Sequence, residues 1–147
     1  MPITEETGKI VDVGDGNMRS LENYHMNGMD IFSFAVKRVP HLINEIEGLT
    51  NWGKDDVDFY FLHQANAYMV NYIVKRAKIN TEKCPINIDK YGNTNGTTIP
   101  LLLTDYFNNN KNAKEINAIL CAFGVGLSWG ATAVRLSDLC CTDIQYI

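Results

Sequence analysis

Hydrophobic side chains recur at helical spacing in two long stretches of the chain. Across residues 30–47 they return every three or four positions, which predicts one helix. Pro40 lies inside this stretch and should kink or divide the helix, and Gly48 marks its end. The same spacing predicts a second helix over about residues 66–78.

Shorter apolar runs predict strands. Residues 58–62 form an aromatic run typical of a buried parallel strand, and residues 85–88 and 115–123 predict two more. A last strand is expected over residues 131–136, antiparallel to its predecessor if the loop between them is a tight return. This order predicts an α/β fold, with helices covering a mixed, mainly parallel sheet of five or slightly fewer strands.

The chain divides into three parts. Residues 1–27 are polar and contain glycines, and we interpret them as an irregular lead-in in which residues 10–13 could form a short strand. Residues 28–137 carry the helical and strand patterns, and residues 138–147 form a tail. We therefore predict one α/β domain between a lead-in and a tail.

Composition and charge narrow the class of protein. Hydrophobic residues make up 46% of the chain and charged residues 20%, as in a globular domain that buries a core. The net charge of −4 disfavours a nucleic-acid binder, and no apolar run approaches the length of a membrane span or forms an amino-terminal signal. The four cysteines form no C-x-x-C pair, which disfavours a structural zinc site: Cys84, Cys121, Cys140 and Cys141. We interpret them as reduced thiols of a cytoplasmic protein, and we expect no metal and no cofactor.

Two loops carry polar residues suited to chemistry. His63 closes the first predicted strand and precedes a helix, where ligands and catalytic groups collect in open α/β sheets. Asn93 lies in a polar loop that leads into a third predicted helix over residues 99–107, with Thr97 or Thr98 as its cap. Taken singly, either residue could equally serve in packing or in a turn.

A glycine-rich loop over residues 124–130 is the third candidate. Its spacing differs by one residue from the dinucleotide-binding pattern, and a strand rather than a helix follows it. We therefore exclude a Rossmann-type site. Glycines at these positions would let backbone N–H groups approach a ligand.

Together, and in this order, these segments resemble the C-terminal half of β-ketoacyl-ACP synthase III. The resemblance covers about residues 25–136. It rests on H-Q-A-N at residues 63–66 and on the order of this motif and three others along the chain. One of the three lies upstream, Met29–Val36, and two lie downstream, Tyr91–Thr94 with Ile99 and Pro100, and Ala122–Ala131. H-Q-A-N and G-N-T differ from the H-P-G-G and G-N-M of plant-type polyketide synthases.

The resemblance implies one half of a thiolase fold, whose other half carries a nucleophilic cysteine. None of the four cysteines here matches that residue, so we expect the chain to be inactive alone. His63 and Asn93 match the family's catalytic pair. The implied reaction is a decarboxylative Claisen condensation of acyl-CoA with malonyl-ACP (ACP, acyl carrier protein) in fatty-acid or related acyl-chain biosynthesis. Two neutral N–H donors would stabilise the enolate.

The resemblance also implies roles for residues around this pair. The backbone N–H of Val125, where many relatives have glycine, would complete a second oxyanion hole, and Phe123, Gly124 and Gly126 would line the pocket. Tyr68 stands where relatives carry an arginine that helps to hold the acidic carrier protein. Three nearby basic residues are candidate carrier-protein contacts, or ordinary charges at the end of a helix: Lys75, Arg76 and Lys78.

Two other functions use the same residues. The chain could be a non-catalytic or truncated thiolase-fold subunit that dimerises without turnover. It could also transfer an acyl group to an alcohol or amine, with His63 as a base. Because the face that meets the other half would be apolar, we predict a homodimer with the loops of His63, Asn93 and Val125 near its interface.

Overall fold

The computed structural model divides the chain into two units, residues 1–31 and 32–147, and describes four stretches of it: residues 2–23, 26–109, 115–137 and 139–145. The first unit contains an antiparallel hairpin of two short strands, β1 (Val11–Asp12) and β2 (Met18–Arg19). β1 lies within the segment expected to form a strand, and it pairs locally with β2.

The described residues contain four α-helices: α1 (Gly28–Thr50), α2 (Ala67–Arg76), α3 (Ile88–Tyr91) and α4 (Thr98–Asn109). The three longer helices confirm the helical spacing in the sequence. α1 is not divided at Pro40, contrary to one expectation. Proline removes one backbone donor from the helix, but Val39 and Ile43 beside it are fully buried, and this packing holds the helix together.

The segment at residues 85–88 is not a strand, contrary to the prediction. Ile88 opens the short helix α3, and Asn87 directly precedes it. The backbone N–H of Asn87 donates to Oε1 of Gln64 at 3.3 Å, and Pro85 has no N–H to donate. The segment therefore lacks donors that pairing with a neighbouring strand would use.

The main sheet contains three strands in chain order: β3 (Phe59–Leu62), β4 (Ile116–Gly124) and β5 (Ser128–Leu136). β3 pairs with β4 in parallel and β5 pairs with β4 antiparallel, so the sheet is mixed as expected. In the described part of the chain it has three strands rather than five. β5 begins at Ser128, before the predicted residue 131, because residues 128–130 pair with the end of β4.

Helices cover both faces of this sheet. On one face the hydroxyl of Tyr60 donates a hydrogen bond of 2.6 Å to Glu47 of α1. On the other face, Phe61 belongs to a buried cluster with Leu102 and Phe107 of α4. The second unit therefore has three layers, helix, sheet and helix. The carboxyl end of β3 lies at the edge of the sheet between the two helical layers.

Part of the predicted tail packs within this second unit. Nδ2 of Asn108 in α4 donates to the backbone carbonyl of Thr142 at 2.8 Å, and Cys141 packs against the cluster beneath α4. The described residues 139–145 thus lie against α4.

Candidate active site

His63 lies directly after β3. Its backbone N–H donates to the carbonyl of Cys121 in β4 at 2.9 Å, which continues the parallel pairing by one residue. Its half-buried ring meets the ring of Phe123 edge-on, with centroids 5.3 Å apart. The parallel strands therefore place His63 at the carboxyl end of the sheet, where the sequence predicts it.

The first residue of α4 reaches the His63 ring. Nδ1 of His63 lies 2.6 Å from Oγ1 of Thr98, which is 3% exposed. The sequence indicated Thr98 only as a helix cap, because nothing in the pattern shows that the start of α4 meets the end of β3.

Asn93 is connected to His63 and Thr98 by hydrogen bonds through Asn95. Its Oδ1 accepts the backbone N–H of Asn95 at 2.9 Å, which leaves the Nδ2 group as the part of the carboxamide that can donate to a ligand. The carbonyl of Asn95 in turn accepts the backbone N–H of Thr98, and its oxygen lies 3.1 Å from Oγ1 of Thr98. A continuous series of hydrogen bonds thus runs from His63 through Thr98 and Asn95 to Asn93.

The side chains of Gln64 and Asp105 hold the residues that precede the Asn93 loop. Gln64 is 1% exposed and ties the loop after β3 to Asn87. Asp105 of α4 accepts hydrogen bonds from Asn87 Nδ2 at 3.4 Å and from the hydroxyl of Tyr91 at 3.1 Å. Gln64 and Asp105 were not predicted as supporting residues, although the glutamine of the H-Q-A-N motif was an available signal.

The turn between β4 and β5 lies beside the histidine. Phe123 is buried against His63, Gly124 ends β4, and Val125 is 78% exposed. Val125 does not have a positive φ, so its side chain imposes no strain on a backbone donor there. Gly126 has a φ of 145°, and a Cβ on it would lie 2.8 Å from the backbone nitrogen of Ser128. Glycine is therefore required at residue 126 for this turn.

Burial sets the charge of His63. Desolvation of the ring lowers the pKa of His63 below its ordinary value of 6.5, because burial disfavours the imidazolium form. The imidazole is therefore neutral at pH 7. It can act as a donor through one ring nitrogen without carrying a full positive charge.

We expect His63 to titrate with a midpoint below pH 6.5 in the folded chain. In the unfolded chain His63 takes up a proton near pH 6.5, whereas in the folded chain it does so only at lower pH. The free energy of unfolding therefore keeps its full contribution from neutral His63 above pH 6.5, and this contribution falls as the pH drops towards the folded pKa. NMR titration of the ring protons measures the midpoint, with the H63Q variant assigning the signal. A midpoint at or above 6.5 would contradict the burial described here.

None of the four cysteines has the surroundings of a nucleophile. All are free thiols, and burial raises the pKa values of Cys84 and Cys121 to about 12. Both thiols are therefore protonated and unreactive near pH 7. Cys140 and Cys141 lie in the segment after β5, and Cys140 is exposed.

A thiol-labelling reagent should divide these cysteines into two classes. In the folded chain we expect Cys140 and Cys141 to react first, while Cys84 and Cys121 react only after unfolding, because the reagent needs an accessible thiolate. Mass spectrometry of peptides labelled with and without denaturant distinguishes the classes. Rapid labelling of Cys121 in the native chain would show that a reactive thiol lies beside the candidate site.

A groove of about 620 Å³ runs along the outer side of α2, lined by Tyr68, Asn71, Tyr72, Lys75 and Arg76. Phe32 of α1 stacks on Tyr68, with ring centroids 5.7 Å apart, and Tyr68 remains 70% exposed. Lys78 follows the helix and is also exposed. Among the ion pairs of the described residues, none involves these three basic side chains, so their charges face solvent.

The described residues contain no group of three or more His, Cys, Asp and Glu side chains placed to hold a metal ion. No helix among them has both the length and the apolar character needed to cross a membrane.

The mixed sheet with helices on both faces forms one half of a thiolase fold, and His63 and Asn93 are joined by hydrogen bonds at its open end. The family described as 3-oxoacyl-[acyl-carrier-protein (ACP)] synthase III C terminal matches residues 49–136. The chain belongs to this family.

Individual relatives agree with this assignment. The chain is 39% identical over 135 residues to a β-ketoacyl-[acyl-carrier-protein] synthase III of Prochlorococcus marinus (strain MIT 9215), with 92% of the chain and 40% of the relative covered. It is 42% identical over 116 residues to the enzyme of the same name from Clostridium perfringens (strain ATCC 13124), with 78% and 36% covered. A crystal structure of a 3-oxoacyl-(acyl-carrier-protein) synthase III superposes with a TM-score of 0.84 at 30% identity, covering 92% of the chain and 40% of that structure.

The chain thus spans about 40% of the length of the first of these relatives. The matching part is the C-terminal one, as the description of the family states.

Proposed function

We propose that this chain is the C-terminal catalytic half of a 3-oxoacyl-ACP synthase III-type condensing enzyme. In this proposal it supplies His63 and Asn93, while the nucleophilic cysteine belongs to an N-terminal half. The hydrogen-bonded series that joins His63 to Asn93 through Thr98 and Asn95 is the observation that carries the proposal. It links two neutral donors at one end of the sheet.

The proposed reaction begins when the acyl group of acyl-CoA is transferred to the cysteine of the other half. Malonyl-ACP then loses carbon dioxide, and the electrons of the broken C–C bond form an enolate. The enolate carbon attacks the acyl thioester, a new C–C bond forms, and the cysteine leaves as a thiolate. His63 and Asn93 donate hydrogen bonds to the enolate oxygen without delivering a proton.

The neutral state of both donors supports this role. Burial keeps His63 uncharged, and a carboxamide has no charge to lose. An acid at either position could protonate the enolate carbon before it attacked the acyl group. A histidine and an asparagine therefore suit condensation better than a pair of carboxylic acids would.

We also propose that the backbone N–H of Val125 binds the oxyanion formed when the acyl thioester is attacked. Phe123, Gly124 and Gly126 would line the pocket around it. The turn that holds Val125 lies next to His63 through Phe123, which supports a shared pocket. A backbone donor at residue 125 does not depend on the identity of the side chain.

The exposed basic residues of α2 and its end are proposed contacts for the acidic carrier protein. Lys75, Arg76 and Lys78 face solvent beside the groove that Tyr68 lines. Their other interpretation, as charges that favour the C-terminal end of a helix, accounts for Lys75 and Arg76 in the last turn of α2. Charge complementarity with a carrier protein would act mainly on the association rate.

We propose a cytoplasmic homodimer. The turn after β4 and the start of β5 expose apolar side chains near the candidate site: Val125, Leu127 and Trp129 are 78%, 44% and 44% exposed. Exposed apolar surface of this kind usually finds a partner. Four free thiols suit a reducing compartment.

Sedimentation velocity at micromolar concentration tests the assembly. We expect a dimer or larger species whose proportion falls on dilution, because apolar side chains beside the site gain by leaving water. The variant V125S, which removes one exposed apolar side chain, should weaken the association. A monomer that stays unchanged across dilution would contradict the proposed dimer.

A fusion protein tests the function. The part of the P. marinus relative that precedes the matched region is joined to this chain, so that one polypeptide carries both halves. We expect the fusion protein to form ketoacyl-ACP from acyl-CoA and malonyl-ACP, and this chain alone to form none. A folded fusion protein that takes up the acyl group, as shown by mass spectrometry, but makes no ketoacyl-ACP would contradict the proposal.

A further inference from the structure

We propose that Thr98 is a positioning residue that holds His63 in the tautomer with the proton on Nε2. In this arrangement the hydroxyl of Thr98 donates its proton to Nδ1 of His63, and the Nε2–H group is directed to the ligand. The inference rests on the proposed function for its catalytic meaning, but the tautomer itself can be measured without any reaction.

The lengths of two contacts give the direction of the hydrogen bond. Oγ1 of Thr98 lies 2.6 Å from Nδ1 of His63 and 3.1 Å from the carbonyl oxygen of Asn95. Bonds donated by N–H groups usually measure about 2.7–3.2 Å between heavy atoms, and bonds from hydroxyls to oxygen about 2.5–3.0 Å. The distance to Nδ1 of His63 is shorter than that of a bond donated by an imidazole N–H. The distance to the carbonyl oxygen of Asn95 is longer than that of a bond donated by a hydroxyl, so the hydroxyl proton is directed to His63.

The carbonyl of Asn95 also has another donor. The backbone N–H of Thr98 donates to the same oxygen, as expected at the end of the short 3₁₀ turn over residues 95–97. The hydroxyl proton of Thr98 is therefore not needed to satisfy Asn95. It remains available for Nδ1 of His63.

Packing fixes the two partners relative to each other. Thr98 is 3% exposed and has a β-branched side chain, which restricts its hydroxyl to few directions. The ring of His63 packs edge-on against Phe123, with centroids 5.3 Å apart. This packing limits how far the two side chains can move relative to each other.

The direction of this hydrogen bond decides what His63 offers to a ligand. With the proton on Nε2, the ring presents an N–H donor to a developing oxyanion. With the proton on Nδ1, Nε2 presents a lone pair, which repels that oxyanion. A neutral histidine can therefore stabilise the enolate only in the first tautomer.

Nitrogen NMR of the ¹⁵N-labelled chain tests the inference directly. Long-range ¹H–¹⁵N spectra distinguish a protonated ring nitrogen from an unprotonated one, and the H63Q variant identifies the His63 signals among the three histidines. We expect the Nε2–H tautomer in the native chain and in the T98S variant, which keeps the hydroxyl. In the T98V variant, which has the same shape without the hydroxyl, we expect the signals to move towards those of a mixture of tautomers.

A native spectrum with the proton on Nδ1 would overturn the inference, and so would a T98V spectrum identical to the native one. If T98V fails to fold, the native and T98S spectra still decide the position of the proton. A purely structural role for Thr98 would alter stability without moving the proton between the ring nitrogens.

Kinetics of the fusion protein separate this inference from the proposed function. We expect T98V to lower kcat by about 10- to 100-fold, the effect of removing a partner that orients a histidine, and T98S to restore most of it. A fusion protein without condensing activity but with His63 in the Nε2–H tautomer overturns the proposed function alone. An active fusion protein with the proton on Nδ1 overturns the tautomer alone.

Discussion

Replacing His63 or Asn93 by alanine in the fusion protein should lower kcat for condensation by about 10²–10³-fold. Each substitution removes one of the two donors proposed to stabilise the enolate. The binding groove on α2 lies outside this pair, so KM for malonyl-ACP should change little. Because both donors act on one oxygen, the double variant should lose less than the product of the two single effects.

His41 offers a matched control for this prediction. It lies on α1 with its side chain exposed, and its ring is 3.4 Å from Glu45. The H41A variant also removes an imidazole, yet its kcat should equal that of the unchanged fusion protein. A loss of less than about tenfold in both H63A and N93A would contradict the assignment of these residues as the catalytic pair.

The F61A variant should lower the free energy of unfolding by about 3–5 kcal/mol. Phe61 is fully buried between the sheet and α4. Its ring lies 5.9 Å from the ring of Tyr106 and 6.1 Å from that of Phe107, centroid to centroid. Alanine would leave a cavity in this cluster, since surrounding strands and helix can close it only in part.

Urea unfolding of the variant and the native chain measures this effect. L49A is the matched control, because Leu49 on α1 is 80% exposed and its loss should change stability by less than about 0.5 kcal/mol. A change below about 1 kcal/mol in F61A would show that the cluster beneath α4 is not the well-packed core described here.

The long helices and the strands of the main sheet were predictable because their apolar spacing extends over many residues. The number of strands in that sheet, expected to be five or slightly fewer, was not predictable, because two short segments pair or fold locally. Residues 10–13 form part of a hairpin with β2, and residues 85–88 lead into α3. In both segments local turns and side-chain hydrogen bonds decide the outcome, and a run of four residues cannot reveal them.

Some residues of the candidate site were predictable from the sequence and others were not. The resemblance of the motifs to the family indicated His63 and Asn93, and the position of His63 after a strand followed from the apolar pattern. The contacts made by Thr98, Gln64 and Asp105 were not predictable, because they join loops far apart in the chain. Only the packed sheet and α4 bring these side chains together.

The most direct measurement of the central claim is the release of carbon dioxide from malonyl-ACP. Decarboxylation reports the enolate itself, and it can be followed with a ¹⁴C label in the free carboxyl group of the malonyl unit. We predict that the fusion protein releases labelled carbon dioxide, and that the double variant lacking His63 and Asn93 loses nearly all of this activity while remaining folded. Release at the same rate without both residues would contradict the claim that this pair stabilises the enolate.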